Sequence, residues 1–567
     1  MRALFGALLA TLALGCASSS NASAPFSGQF GADAGTTGTT GSGGSGDTTG
    51  SPGTPAQQCS QDSQCGLGKR CSGGTCVELP PEQKVDPSGV PPVASPHDVW
   101  AIAADSEVAR ITIATRAVDV ATVPAGTAAL VALPDVDAAL ALSGGSLAVT
   151  LIEDVANPRS QKVSAPYDRL TLSPDGLWAV AWRRTLTDSA TGISTIAVVD
   201  VAALRAGSPA VFERAGGYRA TDVVFRSVAG KATRVAIVAK DAVNVLALAT
   251  IRTHALPLHA ALPAEVAVDV TKRDAVATPD GRFVLVRVLD SANLSVVDVD
   301  AAAPAATTLT LPAAPTDLTV TPDGTLAVAV LRDAGQVAEI HLPADLANAA
   351  GVTLVSTGTL HVGQAVLSGG DAAAGFGPYA LLFTTAEPAE QVTRLDLASG
   401  ALTTYPLEKS VRGVAISPDG ASAVVVHRPA QNPTETDPYE QQVDAQQGYS
   451  LVDIASGLAT LQLTASVPPG TVVFAPAGGY AAVILGVGDP TSAVASASLA
   501  SLVATTVPLD SPALFLGAIP AAPGDPSSGR GVFVAERHPA GRISFLTLDT
   551  LDLQTVTGFE LNGQIGN

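Results

Sequence analysis

Aromatic and charged residues are both scarce in this chain of 567 residues. Phe, Trp and Tyr make up 4% of the sequence and charged residues 14%, whereas 47% of the residues are hydrophobic, many of them Ala and Val. A large core is therefore expected to consist mainly of small and β-branched side chains. The chain is too long for one ordinary compact domain unless that domain is an array of repeats.

Basic residues are fewer than acidic ones. The chain has 31 Lys and Arg against 51 Asp and Glu, which gives a net charge of −20 and a pI of about 4.6. Binding to nucleic acid needs clustered basic residues that displace counterions, and adsorption on anionic lipid headgroups needs them too. The charge balance argues against both for the folded domain, and its ordinary consequence is solubility.

The common short motifs of catalysis are also missing. The sequence has no His-Glu-x-x-His helix, no Gly-x-x-x-x-Gly-Lys phosphate loop, no Gly-x-Ser-x-Gly elbow and no Cys-x-x-Cys-His haem site. His427 follows an apolar run and precedes a long insertion, so it is predicted to be a solvated loop residue, with a general base as the alternative. We expect no catalytic residue.

Two pairs of carboxylates have the spacing of one strand face. Asp135 pairs with Asp137, and Asp298 with Asp300. Such a pair either contributes to a Ca²⁺ site or stays in water, and a Ca²⁺ site needs six to eight oxygens. The sequence therefore predicts neither a metal site nor a cofactor.

The first hydrophobic stretch is short. A mainly apolar run of twelve residues, Ala3 to Leu14, follows Met1 and Arg2, and this length is too small to span a bilayer. A positive start, an apolar run and a small residue before Cys16 are the ordered parts of a secretory signal peptide.

The end of this stretch, Ala13-Leu14-Gly15-Cys16, resembles the lipobox of bacterial lipoproteins. It departs from the usual pattern, because Ala13 and Leu14 stand where a Leu and a small residue are expected. The resemblance implies that residues 1–15 are a signal peptide and that Cys16 carries the lipid. Since Ala17 rather than Asp follows, it also implies the outer membrane, and which side of that membrane the protein faces stays open. An ordinary cleaved signal peptide is the alternative.

A low-complexity segment follows. Residues 16–57 are almost all Ser, Gly, Thr, Ala and Pro, and they bury too little apolar surface to offset the entropy of ordering. They are predicted to be a flexible tether. A coil of about 40 residues spans roughly 35 Å, which is enough to lift a domain off a membrane.

Residues 58–78 contain the remaining cysteines, Cys59, Cys65, Cys71 and Cys76. In an exported chain this even number predicts two disulfides, with three pairings open; a four-thiolate zinc site is the alternative. The spacing resembles the small Dickkopf-type cysteine-rich modules of extracellular proteins, and this resemblance implies no activity.

The main domain is organised around a repeated corner, Ser/Thr-Pro-Asp-Gly. Pro fixes φ at the second turn position, Asp binds nearby backbone N–H groups, and Gly adopts the left-handed conformation. Each copy separates two short apolar runs. The perfect copies centre on Asp175-Gly176, Asp280-Gly281, Asp323-Gly324 and Asp419-Gly420, and their Asp and Gly residues are predicted to be structural.

Degenerate corners fill the long gaps and extend the series outward. They lie near residues 96, 134, 228, 370, 477 and 525, so the period is about 40 to 57 residues. Within one period, Asp317–Val320, Leu326–Leu331, Gln336–Ile340 and Thr353–Ser356 have strand patterns.

Four short strands per period are the signature of a β-propeller blade. Several third strands end in an apolar residue and Asp, as in Val198-Val199-Asp200. Together with the corner, this pattern resembles the YVTN-type and WD40-like propeller repeats of bacterial surface proteins. The resemblance implies an all-β propeller over residues 92–560, with about eight to ten blades from the spacing and seven as the alternative. Closure of the ring is left open, with a strand supplied to the first blade by the last residues, near Thr555 to Leu561, as one alternative.

Function is expected at the long insertions. Residues 428–447 are predicted to join the second and third strands of one blade, and a polar loop of this length is either functional or disordered. Its candidate binding residues are Glu435, Asp437, Tyr439 and Glu440, with Tyr439 as the anchor.

The leading hypothesis is therefore a non-catalytic binding platform for a protein or glycan at the cell envelope, attached to the membrane by its lipid alone. The alternative, a propeller-type hydrolase or lactonase with a metal at the central channel, rests on fold analogy.

Overall fold

The computed structural model describes residues 69–72, 75–78 and 90–560, without 135, 185–192, 254–255, 268–269, 348, 359, 361, 371–374, 376, 431–435, 523 and 526–527. The signal peptide, the tether and Cys16, Cys59 and Cys65 lie outside these residues, so the interpretations of them stay predictions.

A small hairpin precedes the main domain. Strand β1 (Lys69–Ser72) pairs with β2 (Thr75–Glu78), and this register sets Cys71 opposite Cys76. Cys76 is disulfide-bonded. The module of two disulfides stays a prediction, because two of its four cysteines are not described.

The main domain consists of ten four-stranded antiparallel sheets in chain order, which we call blades 1 to 10. Blades 1 to 5 contain β3 (Val93–Ala94), β4 (Asp98–Ala104), β5 (Glu107–Thr112), β6 (Val118–Thr122); β7 (Thr127–Ala132), β8 (Ala139–Ser143), β9 (Ala148–Ile152), β10 (Arg159–Lys162); β11 (Arg169–Leu172), β12 (Trp178–Trp182), β13 (Ile193–Asp200), β14 (Val211–Tyr218); β15 (Asp222–Val228), β16 (Lys231–Val238), β17 (Ala242–Ala247), β18 (Leu258–Ala261); β19 (Arg273–Ala277), β20 (Phe283–Val288), β21 (Asn293–Asp298) and β22 (Ala306–Thr310).

Blades 6 to 10 contain β23 (Asp317–Val320), β24 (Leu326–Leu331), β25 (Gln336–His341), β26 (Thr353–Ser356); β27 (Gln364–Ser368), β28 (Tyr379–Phe383), β29 (Gln391–Asp396), β30 (Leu402–Pro406); β31 (Val411–Ile416), β32 (Ser422–His427), β33 (Gly448–Asp453), β34 (Ala459–Leu463); β35 (Pro469–Phe474), β36 (Tyr480–Leu485), β37 (Ala493–Ser498), β38 (Val503–Pro508); β39 (Ala513–Ala518), β40 (Gly531–Glu536), β41 (Arg542–Thr547) and β42 (Leu553–Thr557). The part of the chain that the structure describes also has three short α-helices, α1 (Val201–Arg205), α2 (Ala344–Ala347) and α3 (Pro438–Ala445). Among the described residues, no helix has the length and apolar character that crossing a membrane requires.

The blades form a closed ring. The first strands of neighbouring blades lie against one another at many junctions, including that between blades 10 and 1, so these strands surround the axis. The fold is an all-β propeller, as predicted, and its ten blades are the upper end of the expected range. The strands predicted for blade 6 agree with the observed bounds to within one residue.

Closure, which the sequence left open, does not use the C-terminal segment as a strand of blade 1. Strand β42 pairs with β41 inside its own blade, and blade 1 takes all four strands from residues 93–122. The two blades meet through a buried apolar cluster that includes Ile111, Phe533 and Phe545. The guanidinium of Arg116 lies 4.3 Å from the centroid of the Phe545 ring, which adds a cation–π contact.

The repeated corners lie between the first and second strands of their blades and share one geometry. In each perfect copy the Ser or Thr hydroxyl donates to Oδ1 of the Asp, at 2.6, 2.7, 2.6 and 2.5 Å in chain order. The same oxygen accepts the N–H two residues later. The Gly φ values lie between 65° and 73°, so the left-handed conformation predicted for Gly is present.

Two of these corners also join neighbouring blades. The second oxygen of Asp175 accepts the N–H of Ala232 in blade 4, at 2.8 Å. That of Asp280 accepts from Arg226, at 2.8 Å, and Arg226 also binds Asp300. The corner aspartates therefore stabilise both the turn and the packing between blades.

Candidate binding surface on the insertion of blade 8

The insertion of residues 428–447 joins β32 to β33, the second and third strands of blade 8, as predicted. Because antiparallel strands alternate in direction, this loop lies on the face of the ring opposite the corners. Its described part contains α3, and Glu435 lies outside the described residues.

Asp437 starts α3. Its carboxylate accepts the N–H groups of Tyr439, at 2.8 Å, and Glu440, at 3.3 Å, and Pro438 occupies the beginning of the helix. This is an N-cap followed by a proline, a combination that favours helix initiation. The sequence singled out Asp437 as a binding residue; in the structure its carboxylate holds the helix start.

The other end of α3 is fixed to the ring by Lys409, which lies in the connection before blade 8. This side chain is 1% exposed. Its Nζ donates to the carbonyl of Val443 and, at 3.3 Å, to that of Asp444. Burial lowers the pKa of Lys409, and Asp444 and Glu390 oppose the shift. The lysine thus satisfies carbonyls that a helix end leaves without partners.

Two further contacts hold the insertion in place. The side chain of Val443 is fully buried, and the N–H of Ala430 donates to the carbonyl of Asp444 at 3.0 Å. The described part of this loop is therefore an anchored helix and not a disordered segment.

The outward side of α3 presents Tyr439, which is 57% exposed. Its hydroxyl donates to Oε2 of Glu408 at 3.2 Å, and this bond raises the pKa of Tyr439. Glu440, Gln441 and Gln442 are exposed beside it. We call this set of five residues the α3 surface. Its aromatic ring is oriented by the helix and by the Glu408 carboxylate.

The sequence missed Glu408, Lys409 and Val443 as parts of this site. Glu408 and Lys409 precede the insertion by some 20 residues, and no spacing in the sequence pairs them with α3. Only the meeting of two loops on one face of the ring brings them together.

His427 does not lie where it was predicted. It ends strand β32 and is 0% exposed; its Nε2 lies 2.7 Å from the Ser450 hydroxyl, and its Nδ1 3.3 Å from the Ser410 carbonyl. Burial lowers its pKa to about 4, with Lys409 contributing in the same direction. The expectation of a solvated loop residue is wrong, and a buried imidazole in this position is no general base for a solvent-borne substrate.

A buried neutral histidine makes stability depend on pH. The folded pKa lies below the unfolded value of about 6.5, so the contribution of His427 is complete above pH 6.5 and is lost as the pH falls towards 4. The free energy of unfolding of the wild type, relative to His427→Gln, should fall by about 3 kcal/mol over this range. Urea unfolding at a series of pH values measures it, and parallel profiles would contradict the assignment.

The candidate metal pairs have other partners. Asp137 contacts His97 Nδ1 at 2.8 Å, and Asp135 is not described. Asp298 pairs with Arg282 at 3.2 Å and Asp300 with Arg226 at 2.6 Å. Within the described ranges, no group of three or more His, Cys, Asp or Glu residues is arranged to hold a metal.

Carboxylates at the starts of inner strands are also engaged. Asp274 accepts from Arg287 at 3.3 Å, and Asp317 accepts the N–H of Ala365 at 3.0 Å. Both belong to the first strands of their blades, β19 and β23.

Comparison with known proteins adds little beyond this geometry. No family model matches the chain, and no curated protein matches it. Solved structures with some similarity include a eukaryotic initiation factor (11% identity, 78% of this chain, 94% of that chain, TM-score 0.44) and AztD from Citrobacter koseri (13%, 64%, 94%, 0.35). Dihydro-heme d1 dehydrogenase NirN in complex with DHE is another (16%, 65%, 73%, 0.39). Similarities this low carry no argument about function, and the propeller assignment follows from the sheet topology of the chain itself.

Proposed function

We propose that the protein is an exported, lipid-anchored β-propeller that acts as a non-catalytic binding platform for a protein or glycan partner at the bacterial outer membrane. The sequence around Cys16 supports the anchor. The Ser- and Gly-rich residues 17–57 support a tether that holds the ring away from the lipid.

The observation that carries the binding role is the α3 surface. A loop that only joins two strands does not require a buried lysine to hold its helix. Lys409 is nevertheless 1% exposed and hydrogen-bonded to the end of α3. The helix presents Tyr439, whose ring loses little conformational entropy when a partner covers it, because the side chain is already oriented. Oriented tyrosines are frequent anchors of interfaces.

No specific observation favours the alternative of a hydrolase or lactonase. Such an enzyme would gather acidic and His ligands at the channel, and the described carboxylates Asp274 and Asp317 have arginine or backbone partners instead.

The test is co-purification after mild cross-linking on intact membranes. The full chain is compared with a variant in which residues 429–447 are replaced by a short Gly-Ser linker. A matched control replaces residues 487–491, which lie in the corresponding loop of blade 9. Because removal of α3 uncovers Lys409, Tyr439→Ser is included as a variant that leaves the anchor intact, and thermal unfolding checks that each variant folds.

We expect a partner that the full chain and the blade 9 control capture, and that both α3 variants lose. Capture of the same partner by all four proteins would contradict the α3 surface as the contact. Absence of any partner from the full chain would contradict the binding platform itself.

A further inference from the structure

The α3 surface carries an excess of negative charge. Of its five residues, Glu408 and Glu440 are acids and none is a base; Asp437, at the start of α3, and Asp444, in α3, lie beside them, and the neighbouring bases are Lys409 and Arg428. Lys409 is buried under α3, and Arg428 donates to the Thr385 carbonyl at 3.1 Å; both keep their charge, but the four acids outnumber them. The charge that a partner meets is therefore negative.

The position of Tyr439 beside these acids indicates which chemical groups the α3 surface can bind. The face of a tyrosine ring attracts cations, and here Glu408 holds the ring by its hydroxyl while Glu440 lies on the same helix turn. An aromatic face beside two carboxylates suits a guanidinium or ammonium group. The N-terminal end of α3 has the opposite polarity, but Asp437 caps that end.

We infer, on the basis of the proposed function, that the occupant of the α3 surface is a protein segment rich in Arg or Lys. One cationic side chain of this segment stacks on Tyr439 and pairs with Glu408 or Glu440. The hydroxyls of a neutral glycan can donate hydrogen bonds to the carboxylates but leave their charge uncompensated, and an acidic glycan is repelled by them.

The experiment measures binding of a synthetic peptide with alternating Arg and Ser to the full chain by isothermal titration, at low and moderate salt. The test variant is Glu408→Gln combined with Glu440→Gln. The matched control is Asp333→Asn, since Asp333 is an exposed acid in the equivalent loop of blade 6 on the same face. Tyr439→Phe and Tyr439→Ala separate the ring from its hydroxyl.

We expect the double variant to weaken peptide binding about tenfold at low salt and to reduce the salt dependence of the Kd. Tyr439→Phe should retain more affinity than Tyr439→Ala, because the ring face remains. Asp333→Asn should bind like the wild type. Equal weakening by Asp333→Asn, or no weakening by the double variant, would overturn the inference.

Failure of this inference is distinguishable from failure of the proposed function. If cross-linking captures a partner through α3 and the double Gln variant still captures it, the platform stands and the basic segment is wrong. If the full chain captures nothing, the proposed function fails independently of the peptide result.

Discussion

Replacing Gly281 by Ala should lower the free energy of unfolding by about 3 to 5 kcal/mol, whereas the same change at Gly324 should cost about 1 to 2 kcal/mol. Both glycines end a Pro-Asp-Gly corner with similar φ values, +70° and +73°. The strain of placing a Cβ in the left-handed conformation is therefore the same, about 1 to 2 kcal/mol.

The two positions differ in what surrounds the added carbon. At Gly281 the Cβ would lie 2.0 Å from the carbonyl oxygen of Phe225 in blade 4, whereas at Gly324 its nearest atom is 3.4 Å away, in Pro279. Only the first substitution forces the backbones of two blades apart. Urea unfolding of the two variants measures the difference. Equal midpoints would show that the corner of blade 5 does not approach blade 4 this closely.

Replacing Arg226 by Met should cost about 1.5 to 3 kcal/mol, because the change removes the charge-assisted hydrogen bonds of a largely buried guanidinium to two partly exposed carboxylates. The guanidinium of Arg226 pairs with Asp280 at 2.8 Å and Asp300 at 2.6 Å, and it also donates to the carbonyl of Ser227. It links the first strand of blade 4 to two turns of blade 5. The matched control is Arg282→Met, whose partly exposed pair with Asp298 should be worth less than about 1 kcal/mol.

The same network gives a pH dependence of defined sign. The hydrogen bond from Arg226 is the main reason that the pKa of Asp300 lies below its usual value. The stabilisation is therefore present above the unfolded Asp value of about 3.9 and is lost as the pH falls through the folded pKa. Thermal unfolding of the wild type should lose stability in this acid window, and Arg226→Met should lose less. A variant that loses as much as the wild type would contradict the pairing.

The fold was predictable because its signals are local. Pro, Asp and Gly at a corner each act within a few residues, so the pattern around Asp323 predicts the turn and its two flanking strands without knowledge of the rest. Repetition of the pattern then predicts the ring. The ten observed corners include all the degenerate ones.

Closure of the ring was not predictable in the same way. The sequence pattern of β42 fits pairing with β41 and pairing with blade 1 equally well, because both offer a strand with alternating apolar residues. In the structure β42 pairs with β41. The choice depends on the packing of Phe533, Phe545 and Phe559 against blade 1, which involves residues about 400 positions apart in the sequence. The position of His427 was not predictable for a similar reason. Strand β32 extends one residue further than expected, so His427 is its last, buried residue and not part of the loop.

The candidate site was predicted in part. The insertion and Tyr439 stood out by length and residue type, whereas the buried anchor of α3 depends on a contact of Lys409 with carbonyls some 34 positions away. The role of Asp437 as an N-cap was visible in principle, because Asp-Pro before a short helix is a known start signal.

The most direct test of the α3 surface as a contact site is a photo-cross-linking amino acid at position 439 of the full chain in intact cells. The control carries the same group at Leu458, which is 65% exposed on the opposite face, in the turn between β33 and β34. The proposed binding platform predicts a discrete adduct from position 439 and none from position 458. Adducts from position 458 alone, or the same adducts from both positions, would contradict a partner that binds at α3.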